Sequence, residues 1–422
     1  MELAKRGHKI HVVTNANEVE PNFKSMLIDN IKDEADVNYL HQNIELHETL
    51  AIKENAFIPY SNPYSTKLLG AGIDVLSNHN IDLIIGWYFE PYGIVASQLG
   101  LIYNKPVILK HAGSDLGKLS NYNQLKSTYR WMLQSADCLL TNNHSIQVSN
   151  LLDQLDSPEN KRIHIFPSRI PKQFLSSVEK FKPQILKEKF TNWVSKLKID
   201  GRLIQNVIDC NNISTYDPSL PTIGILGKIG EVKGTYNLIE ALIKLRESGL
   251  KFNFCSMNTG KIDDLTKFYS LILNKRELSN CTSFFPPVFP HLVPQYIKLC
   301  DIVCCLERDF PIEIHAPQNI REILAVGSCL IVSKEVASKQ PYYNSLVDNK
   351  NCIIIEDPKN ESDLQNKLSK LLQDKLSISV IGKHGKYLSH TFENLLTDHN
   401  SISTAIEDLG HELNGTYSKS FL

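Results

Sequence analysis

The sequence predicts an α/β protein of two domains, each built on a parallel β-sheet with helices on both faces. Its 422 residues exceed what one ordinary hydrophobic core accommodates. Short apolar runs rich in β-branched residues alternate with amphipathic helical stretches along most of the chain. A polar stretch at 211–221, which contains prolines, separates two such series. These three observations favour two α/β units joined by a linker.

The first series predicts the N-terminal sheet. Its predicted strands lie at 10–14, 81–86, 106–110, 138–141 and 163–166. Its predicted helices lie at 64–78, 92–99 and 119–135. Because ligands of such sheets gather at the carboxyl ends of the strands, residues just after these strands are candidates for a site.

The second series predicts the C-terminal sheet. Its predicted strands lie at 222–226, 251–255, 283–285, 301–306, 329–333 and 351–355, and helices are predicted at 236–247 and 318–326. The resulting domain assignment is 1–176, a linker at 177–217, 218–395, and a C-terminal crossover helix with a tail at 396–422.

The linker contains a basic segment, 180–197, whose apolar residues recur at helical spacing. A basic amphipathic helix that carries tryptophan can lie on a membrane surface. A helix packed on its own domain has the same pattern, and we favour this packing. Peripheral membrane contact remains the alternative.

Composition narrows the functional classes. Lys and Arg number 45 against 46 Asp and Glu, which removes the main electrostatic reason to expect nucleic acid as a partner. The nine cysteines form no C-x-x-C pair and indicate reduced thiols. No stretch approaches the ~20 apolar residues of a membrane span. We therefore expect a cytoplasmic protein, with membrane association left open.

A glycine-rich segment follows the first strand of the second series. Gly227, Lys228, Gly230, Lys233 and Gly234 lie between that strand and the next helix. Glycines allow close backbone approach to a ligand, and the two lysines place positive charge where a diphosphate could bind. The segment lacks the phosphate-loop pattern G-x-x-x-x-G-K-[ST]. An ordinary turn with two solvated lysines is the alternative.

A second candidate segment spans 313–327. Pro317 suits the first position of a helix, so the N–H groups of Gln318 and Asn319 would face an anion. Glu322 follows about one turn later, where a carboxylate can accept hydrogen bonds from a ribose diol. A solvated helix face is the alternative for Glu322.

A third candidate segment, 110–115, comes directly after a predicted strand. His111 is followed there by Ala, Gly, Ser and Asp. Lone histidines are more often structural than functional, but the position at a strand's carboxyl end favours a site.

Taken together, these segments resemble family 4 of the retaining glycosyltransferases, which have the GT-B fold: two Rossmann-like domains facing each other across a cleft. The resemblance runs along nearly the whole chain. The segments that carry it are 2–14, 87–93, 105–107, 111–115, 165–170 with Phe174, 227–228, 233–234 and 322–327, the last matching the second half of the family's Glu-x7-Glu motif.

The resemblance implies transfer of a sugar from a nucleotide diphosphate sugar to an unknown glycan, lipid or protein acceptor, with retention of configuration. It implies catalytic roles for His111 at the donor sugar and for Lys228 and Lys233 at the diphosphate. No protein nucleophile, metal or other cofactor is expected, and the sequence shows no convincing metal-ligand spacing. The donor-binding residues it implies are Gly227, Lys228, Lys233, Gly234, Glu313, His315, Gln318, Asn319 and Glu322.

The sequence departs from the family pattern at three places. The first Glu of the motif falls on Ile314, between Glu313 and His315, either of which could replace it through a small register shift. Pro317 stands where the family has glycine. The first strand and its glycine loop have no counterpart. We expect them upstream of Met1, in an extension of roughly 10–30 residues.

Two other functional readings stay open. One is a catalytically inactive glycosyltransferase-like subunit that binds a partner, which Ile314 favours. The other keeps the fold but changes the chemistry to a sugar-nucleotide epimerase or a glycan phosphorylase. The epimerase would need a carboxylate or histidine placed for proton abstraction at the sugar ring, and the phosphorylase would usually need pyridoxal phosphate on a lysine. The sequence offers no clear case for either.

Overall fold

The structure is a computed structural model. It describes residues 1–14, 41–49, 63–141, 146–164, 169–180, 186–211, 216–288, 290–395 and 402–419. Parts of three predicted segments lie outside these ranges: 165–166 of the last N-terminal strand, with most of the resemblance at 165–170; 181–185 of the linker helix; and 212–215 of the polar stretch.

The described residues of the N-terminal domain form two parallel sheets. The first pairs β1 (Ile10–Thr14) with β2 (Ile44–Glu48), a strand that the sequence analysis missed. The second has the order β3-β4-β5-β6, with bounds Ile84–Trp87, Val107–Lys110, Cys138–Thr141 and Arg162–His164. The domain's helices are α1 (Glu2–Lys5), α2 (Pro63–Asn78), α3 (Ile94–Tyr103), α4 (Ser114–Gly117), α5 (Asn123–Ser135), α6 (Ile146–Asp153) and α7 (Lys172–Leu175).

Within the described residues, β1 and β3 belong to separate sheets. Val12 of β1 and Ile85 of β3 are exposed although both are apolar, and Trp87 is 47% exposed. Buried parallel sheets usually cover such side chains. The first strand of the family pattern has no counterpart among the described residues.

The C-terminal domain contains one six-stranded parallel sheet of order β12-β11-β10-β7-β8-β9. In chain order its strands are β7 (Thr222–Lys228), β8 (Asn253–Thr259), β9 (Thr282–Phe285), β10 (Ile302–Cys305), β11 (Cys329–Ser333) and β12 (Ile353–Ile355). The helices that follow the linker are α10 (Thr235–Glu247), α11 (Ile262–Leu273), α12 (Arg276–Ser279), α13 (Val293–Leu299), α14 (Asn319–Val326), α15 (Lys334–Ser338), α16 (Glu361–Gln373) and α17 (Lys375–Leu395).

The described part of the linker forms two helices, α8 (Lys187–Val194) and α9 (Gly201–Cys210), which pack on the C-terminal domain. Phe190 stacks on Phe284 of β9 with ring centroids 5.9 Å apart, and Trp193 is buried beside it. The apolar face of the predicted amphipathic helix is therefore covered by protein, as the packing interpretation requires. Separately, no helix among the described residues has both the length and the apolar character that crossing a bilayer demands.

The chain returns to the N-terminal domain at its end. Helix α18 (Ile402–Lys419) buries Ile406 against Ile108 and Leu140 of the β3–β6 sheet. Arg6 Nη1 donates a hydrogen bond to Glu407 Oε2 of this helix at 2.5 Å, and His8 Nε2 lies 2.8 Å from Glu407 Oε1. Helix α18 therefore packs on the N-terminal domain.

Candidate active site at the carboxyl ends of β7 and β10

A cleft opens where β7 and β10 end, the position at which ligands of parallel sheets gather. The residues that line it are Ile225, Leu226, Lys228, Lys233, Gly234, Thr235, Leu238, Asn258, Cys304, Cys305, Leu306, Glu307 and Asn319. The cleft therefore joins the glycine-rich segment 227–234, called here the glycine loop, to the start of α14.

The glycine loop is held tightly against the end of β10. Gly234 has φ +66°, and a Cβ on it would lie 2.1 Å from the carbonyl oxygen of Leu306. No other residue type fits at this position without moving backbone. Gly227 and Gly230 also have positive φ, and α10 begins directly after Gly234. This close approach places the Lys233 side chain beside the residue after Leu306.

That residue is Glu307, which the sequence analysis did not select. Lys233 Nζ lies 2.5 Å from Glu307 Oε1, and His315 Nε2 lies 3.4 Å from Glu307 Oε2. Burial acts to raise the pKa of Glu307, but the neighbouring His315 and Lys233 outweigh burial and hold that pKa below its usual range. Glu307 is therefore an anion under physiological conditions, with one cation fixed against it.

An aromatic ring supports the same cation. Lys233 Nζ lies 4.3 Å from the centroid of the Phe310 ring, and Phe310 stacks on His315 with centroids 4.3 Å apart. Lys233, Glu307, Phe310 and His315 thus form one compact group, called here the Lys233 cluster. Packing of this kind fixes the ammonium position more closely than an exposed lysine allows.

Buried polar atoms beside the cleft are incompletely satisfied within the described residues. Asn319 Oδ1 has no hydrogen-bond partner there, and Glu307 Oε2 and His315 Nε2 lie 3.4 Å apart without hydrogen-bond geometry. Such groups are costly unless they are satisfied, so they mark where a polar ligand or ordered water binds. Asn319 and Glu307 both line the cleft.

Lys228 supplies a second cation at the cleft. It ends β7, and its pKa is lowered by burial and by the charge of Lys233. The two ammonium groups thus repel each other across the cleft. A bound anion would relieve this repulsion, and the arrangement favours a ligand with negative charge.

Helix α14 begins one residue later than the sequence indicates. Asn319 is its first residue and Gln318 its N-cap, so Pro317 precedes the helix instead of opening it. Gln318 Nε2 donates to Glu322 Oε1 at 3.0 Å. Burial raises the pKa of Glu322, although the Gln318 hydrogen bond and the Arg321 charge oppose the shift. The helix start therefore presents its open N–H groups beside the cleft.

His111 lies in the N-terminal domain, directly after β4, and does not line the cleft. It is 1% exposed, and neither ring nitrogen has a hydrogen-bond partner within the described residues. Burial, together with the charge of Lys110, lowers its pKa to about 3. His111 is therefore a neutral imidazole with both nitrogens uncommitted.

Asp115 organises the loop that carries His111. Its carboxylate accepts from the backbone N–H groups of Phe89, Ala112, Gly113 and Leu116 at 2.9–3.2 Å. Asp115 is fully buried. The motif's aspartate thus fixes the backbone of the loop that carries His111.

The two domains meet near this loop. A Cβ on Gly117 of α4 would lie 2.7 Å from Ile312 Cγ2 and 3.1 Å from Ile314 Cγ1. Ile314 also packs on the N-terminal core that contains Phe89 and Leu116. The isoleucine at the first position of the Glu-x7-Glu motif is therefore an interdomain contact.

The structure brings together only part of the predicted site. Of the predicted residues, Lys228, Lys233, Gly234 and Asn319 line the cleft. Two others contact residues that line the cleft. His315 lies against Glu307, and the Gly227 carbonyl oxygen accepts a hydrogen bond from Asn258 Nδ2 at 3.1 Å. Gln318 and Glu322 lie on the adjoining helix start. Glu313 is exposed, and among the described residues its side chain is not part of the cleft.

Glu307, Thr235 and Asn258 are cleft residues that the sequence analysis missed. A signal for Glu307 existed, since it follows the buried strand β10 by two residues and begins a polar run after an apolar one. The same argument that selected Lys228 would have selected it. Asn258 lies inside β8, where an amide within a strand carries no such signal.

Comparison with known proteins agrees with this description. Residues 212–387 match the model of the family described as glycosyl transferases group 1. The structure is similar to HepE of Anabaena in complex with UDP and glucose, at 13% identity, TM-score 0.58, and coverage of 97% of this chain and 100% of that one. No curated protein matches the sequence.

Two further solved structures are similar over the whole chain. A glycosyltransferase from Rickettsia africae has 14% identity and TM-score 0.59, with 98% of this chain and 99% of that one covered. WaaG, a glycosyltransferase involved in lipopolysaccharide biosynthesis, has 14% identity and TM-score 0.59, with 98% and 93% covered. At these identities the likeness shows the fold.

The fold is thus the two-domain architecture of GT-B glycosyltransferases, with two Rossmann-like domains. The predicted fold is confirmed. The C-terminal domain, which contains the cleft and the Lys233 cluster, carries the match to the group 1 glycosyltransferase family.

Proposed function

We propose that this protein transfers a sugar from a nucleotide diphosphate sugar to an acceptor, with retention of anomeric configuration. One observation carries the proposal. Lys228 and Lys233 converge on a cleft where, among the described residues, the buried Asn319 Oδ1 has no hydrogen-bond partner and Glu307 Oε2 has only His315 Nε2 near it, 3.4 Å away. A ligand with two phosphates and several hydroxyl groups would satisfy both features.

The diphosphate would bind at the glycine loop. A lysine ammonium has three donors, so Lys233 can keep its contact with Glu307 and still donate to a phosphate oxygen. Lys228 would neutralise the remaining charge. Because negative charge grows on the diphosphate as it departs, the two lysines would stabilise the transition state more than the bound donor. In this proposal they supply the positive charge, and no metal ion is needed at the diphosphate.

The nucleoside would lie along the start of α14. Glu322 uses Oε1 to accept from Gln318, which leaves Oε2 for a ribose hydroxyl. The open N–H groups at the helix start would add hydrogen bonds to the diphosphate. UDP-bound HepE has the same fold, which makes uridine diphosphate the first nucleotide to test.

The donor sugar would point towards His111. The loop after β4 leads into α4, which touches Ile312 and Ile314 next to the Lys233 cluster. A neutral imidazole with two uncommitted nitrogens suits hydrogen bonding to sugar hydroxyls. The acceptor, a glycan, lipid or protein, would enter from the N-terminal side. The departing phosphate would take the acceptor proton on the same face, so no protein nucleophile acts.

The first test of this proposal measures nucleotide binding. Thermal shifts and calorimetry with UDP, GDP, ADP and their sugars should show one nucleotide that raises the melting temperature, since a ligand of the folded state stabilises it. The Lys228→Ala variant should lose this response. Lys275→Ala is the matched control, because Lys275 forms an exposed ion pair with Glu247 at 3.1 Å. The proposal fails if no nucleotide diphosphate binds, or if both variants bind it equally.

A second candidate is a non-catalytic subunit that binds a nucleotide sugar or a partner. It is favoured by Ile314, which occupies the motif's first glutamate position and packs on the N-terminal domain. Release of nucleoside diphosphate from a bound donor, with or without acceptor, distinguishes the two. Binding without release supports the subunit. An epimerase would convert the sugar and release no nucleotide.

A further inference from the structure

Strands β1 and β2 place three metal-binding side chains on one face of their small sheet. In the parallel register His11 is opposite Glu45, and Val13 is opposite His47. Glu45 and His47 lie two residues apart on β2, so their side chains point to the same face. His11 lies on the neighbouring strand, beside Glu45.

A fourth such side chain reaches the group from a helix. His79 directly follows α2, and its ring centroid lies 4.2 Å from that of His11 and 6.1 Å from that of His47. The ligand atoms of these four residues all lie within 4.8 Å of one another. His11 Nδ1 lies 3.0 Å from His47 Nε2 and 3.5 Å from Glu45 Oε2.

We propose that His11, Glu45, His47 and His79 bind a zinc ion. Zn²⁺ prefers four ligands in a tetrahedron, drawn from imidazole nitrogens, thiolates and carboxylates. With Zn–N distances of about 2.0–2.1 Å, the ligand atoms of a tetrahedron lie about 3.3 Å apart. The observed separations begin at 3.0 Å, between His11 Nδ1 and His47 Nε2, and all lie within 4.8 Å, so they bracket this value and side-chain rotations would bring the four ligand atoms to it.

The donor set favours zinc over the hard divalent cations. Calcium and magnesium take oxygen ligands, whereas three imidazoles and one carboxylate suit zinc and its neighbours in the first transition series. Four protein ligands leave no open position, so the ion would be structural. It would join the β1–β2 sheet to the end of α2, and a two-stranded sheet gains most from such a link.

The proposed zinc site is independent of the nucleotide-sugar site. None of its four residues lines the cleft, and all lie in the N-terminal domain. Sequence spacing did not indicate it, because the ligands come from two strands and a helix end that are distant along the chain. Folding alone brings them together.

The test uses the full chain without a polyhistidine tag, stripped with a chelator and then titrated with Zn²⁺. Calorimetry against a competing chelator and elemental analysis should give one zinc per chain. His47→Ala should weaken zinc binding by more than the roughly 10–100-fold that loss of an outer hydrogen-bond partner costs. His384→Ala is the matched control, since it is an exposed histidine of the other domain that contacts the Lys350 carbonyl.

Two measurements protect the test against misfolding. In chelator, wild type and His47→Ala should have the same circular dichroism and melting temperature, and only wild type should gain stability on adding zinc. Co²⁺ should give wild type the intense visible absorption of a tetrahedral site. Equal zinc binding by wild type and His47→Ala, or none by the folded wild type, would overturn the proposal.

Discussion

Lys233 and Glu307 form a close ion pair, Nζ to Oε1 at 2.5 Å, across the cleft between the glycine loop and the end of β10. Both side chains are largely buried, at 17% and 11% exposure. The pair fixes the cation that we assign to the diphosphate, and it joins two segments that are distant in sequence. Its disruption should therefore affect stability as well as catalysis.

Lys233→Ala should lower kcat by roughly 100-fold or more, because it removes charge stabilisation that grows in the transition state. It should also lower the free energy of unfolding by roughly 1–3 kcal/mol, because the Glu307 carboxylate loses its main partner. Steady-state kinetics and urea unfolding measure the two effects. Glu307→Gln in the Lys233→Ala background should restore stability without restoring turnover. Full turnover by Lys233→Ala at saturating donor would remove Lys233 from the site.

Gly234→Ala should abolish nucleotide binding, because its Cβ would meet the Leu306 carbonyl oxygen at 2.1 Å and displace the loop. Gly249→Ala is the matched control. Gly249 also has positive φ, +89°, but a Cβ there would meet nothing within 4 Å. Both variants carry the backbone strain, roughly 1 kcal/mol. Calorimetric titration with nucleotide should then separate them, and equal affinity in the two variants would show that the loop does not position the ligand.

Much of the fold was predictable from periodicity because buried parallel strands read as apolar runs. β1, β5 and β11 lie where they were predicted, residue for residue. The strand β2 was missed because His47 and two glutamates interrupt its apolar pattern. Such a strand depends on its partner β1 more than on local preference.

The candidate site was less predictable, because it depends on contacts between distant segments. Lys228 and Lys233 could be identified because they follow a strand, and Glu307 could have been found in the same way. The role of Ile314 could not, since only the packed structure shows its contact with Gly117. Likewise, only the packed structure shows that Glu307 is the carboxylate that meets Lys233.

Glu322→Gln should weaken nucleotide affinity about 10- to 100-fold, since hydrogen bonds to a charged group contribute roughly 1.5–3 kcal/mol. Calorimetry with the free nucleoside diphosphate measures this. Because burial raises the pKa of Glu322, its carboxylate protonates at a higher pH than an exposed glutamate does. Wild-type affinity should therefore decline on acidification, while that of the Gln variant stays flat over the same range. Parallel curves would assign Glu322 to a solvated helix face.

His111→Ala should impair sugar transfer but leave the affinity for free nucleoside diphosphate unchanged. The physical reason is its location in the N-terminal domain, outside the cleft lining where the diphosphate is proposed to bind. Turnover and calorimetry on the same preparation make the comparison. If sugar transfer and nucleotide affinity fall in proportion, His111 only supports the N-terminal core.

His111 should also make the protein sensitive to acid. Its pKa falls from the ordinary 6.5 to about 3 in the folded protein, so below pH 6.5 the unfolded chain binds a proton that the folded chain does not. The resulting loss of stability should reach roughly 2 kcal/mol at pH 5. Urea unfolding at pH 7 and pH 5 should show this decline in wild type and a smaller one in His111→Gln. An equal decline in both would place the acid sensitivity elsewhere.

Arg321 and Glu393 form a buried pair that fixes α14 to α17, with side-chain exposures of 5% and 0%. Arg321 Nε donates to Glu393 Oε1 at 2.9 Å, and the backbone N–H of Ile170 donates to Oε2 at 3.1 Å. The carboxylate thus also ties the segment that leaves the N-terminal domain to the C-terminal one.

Glu393→Ala should lower the free energy of unfolding by roughly 3–5 kcal/mol, because it removes the carboxylate that neutralises the buried Arg321 guanidinium. Replacing both members by apolar residues, Arg321→Met with Glu393→Leu, should recover most of this loss, since a buried ion pair contributes little over a packed apolar pair. Urea unfolding of the three proteins measures the cycle. The double variant should still lack the Ile170 hydrogen bond, so its recovery should stop short of wild type by roughly 1 kcal/mol. If the double variant is no more stable than Glu393→Ala, the ion pair itself provides the stability.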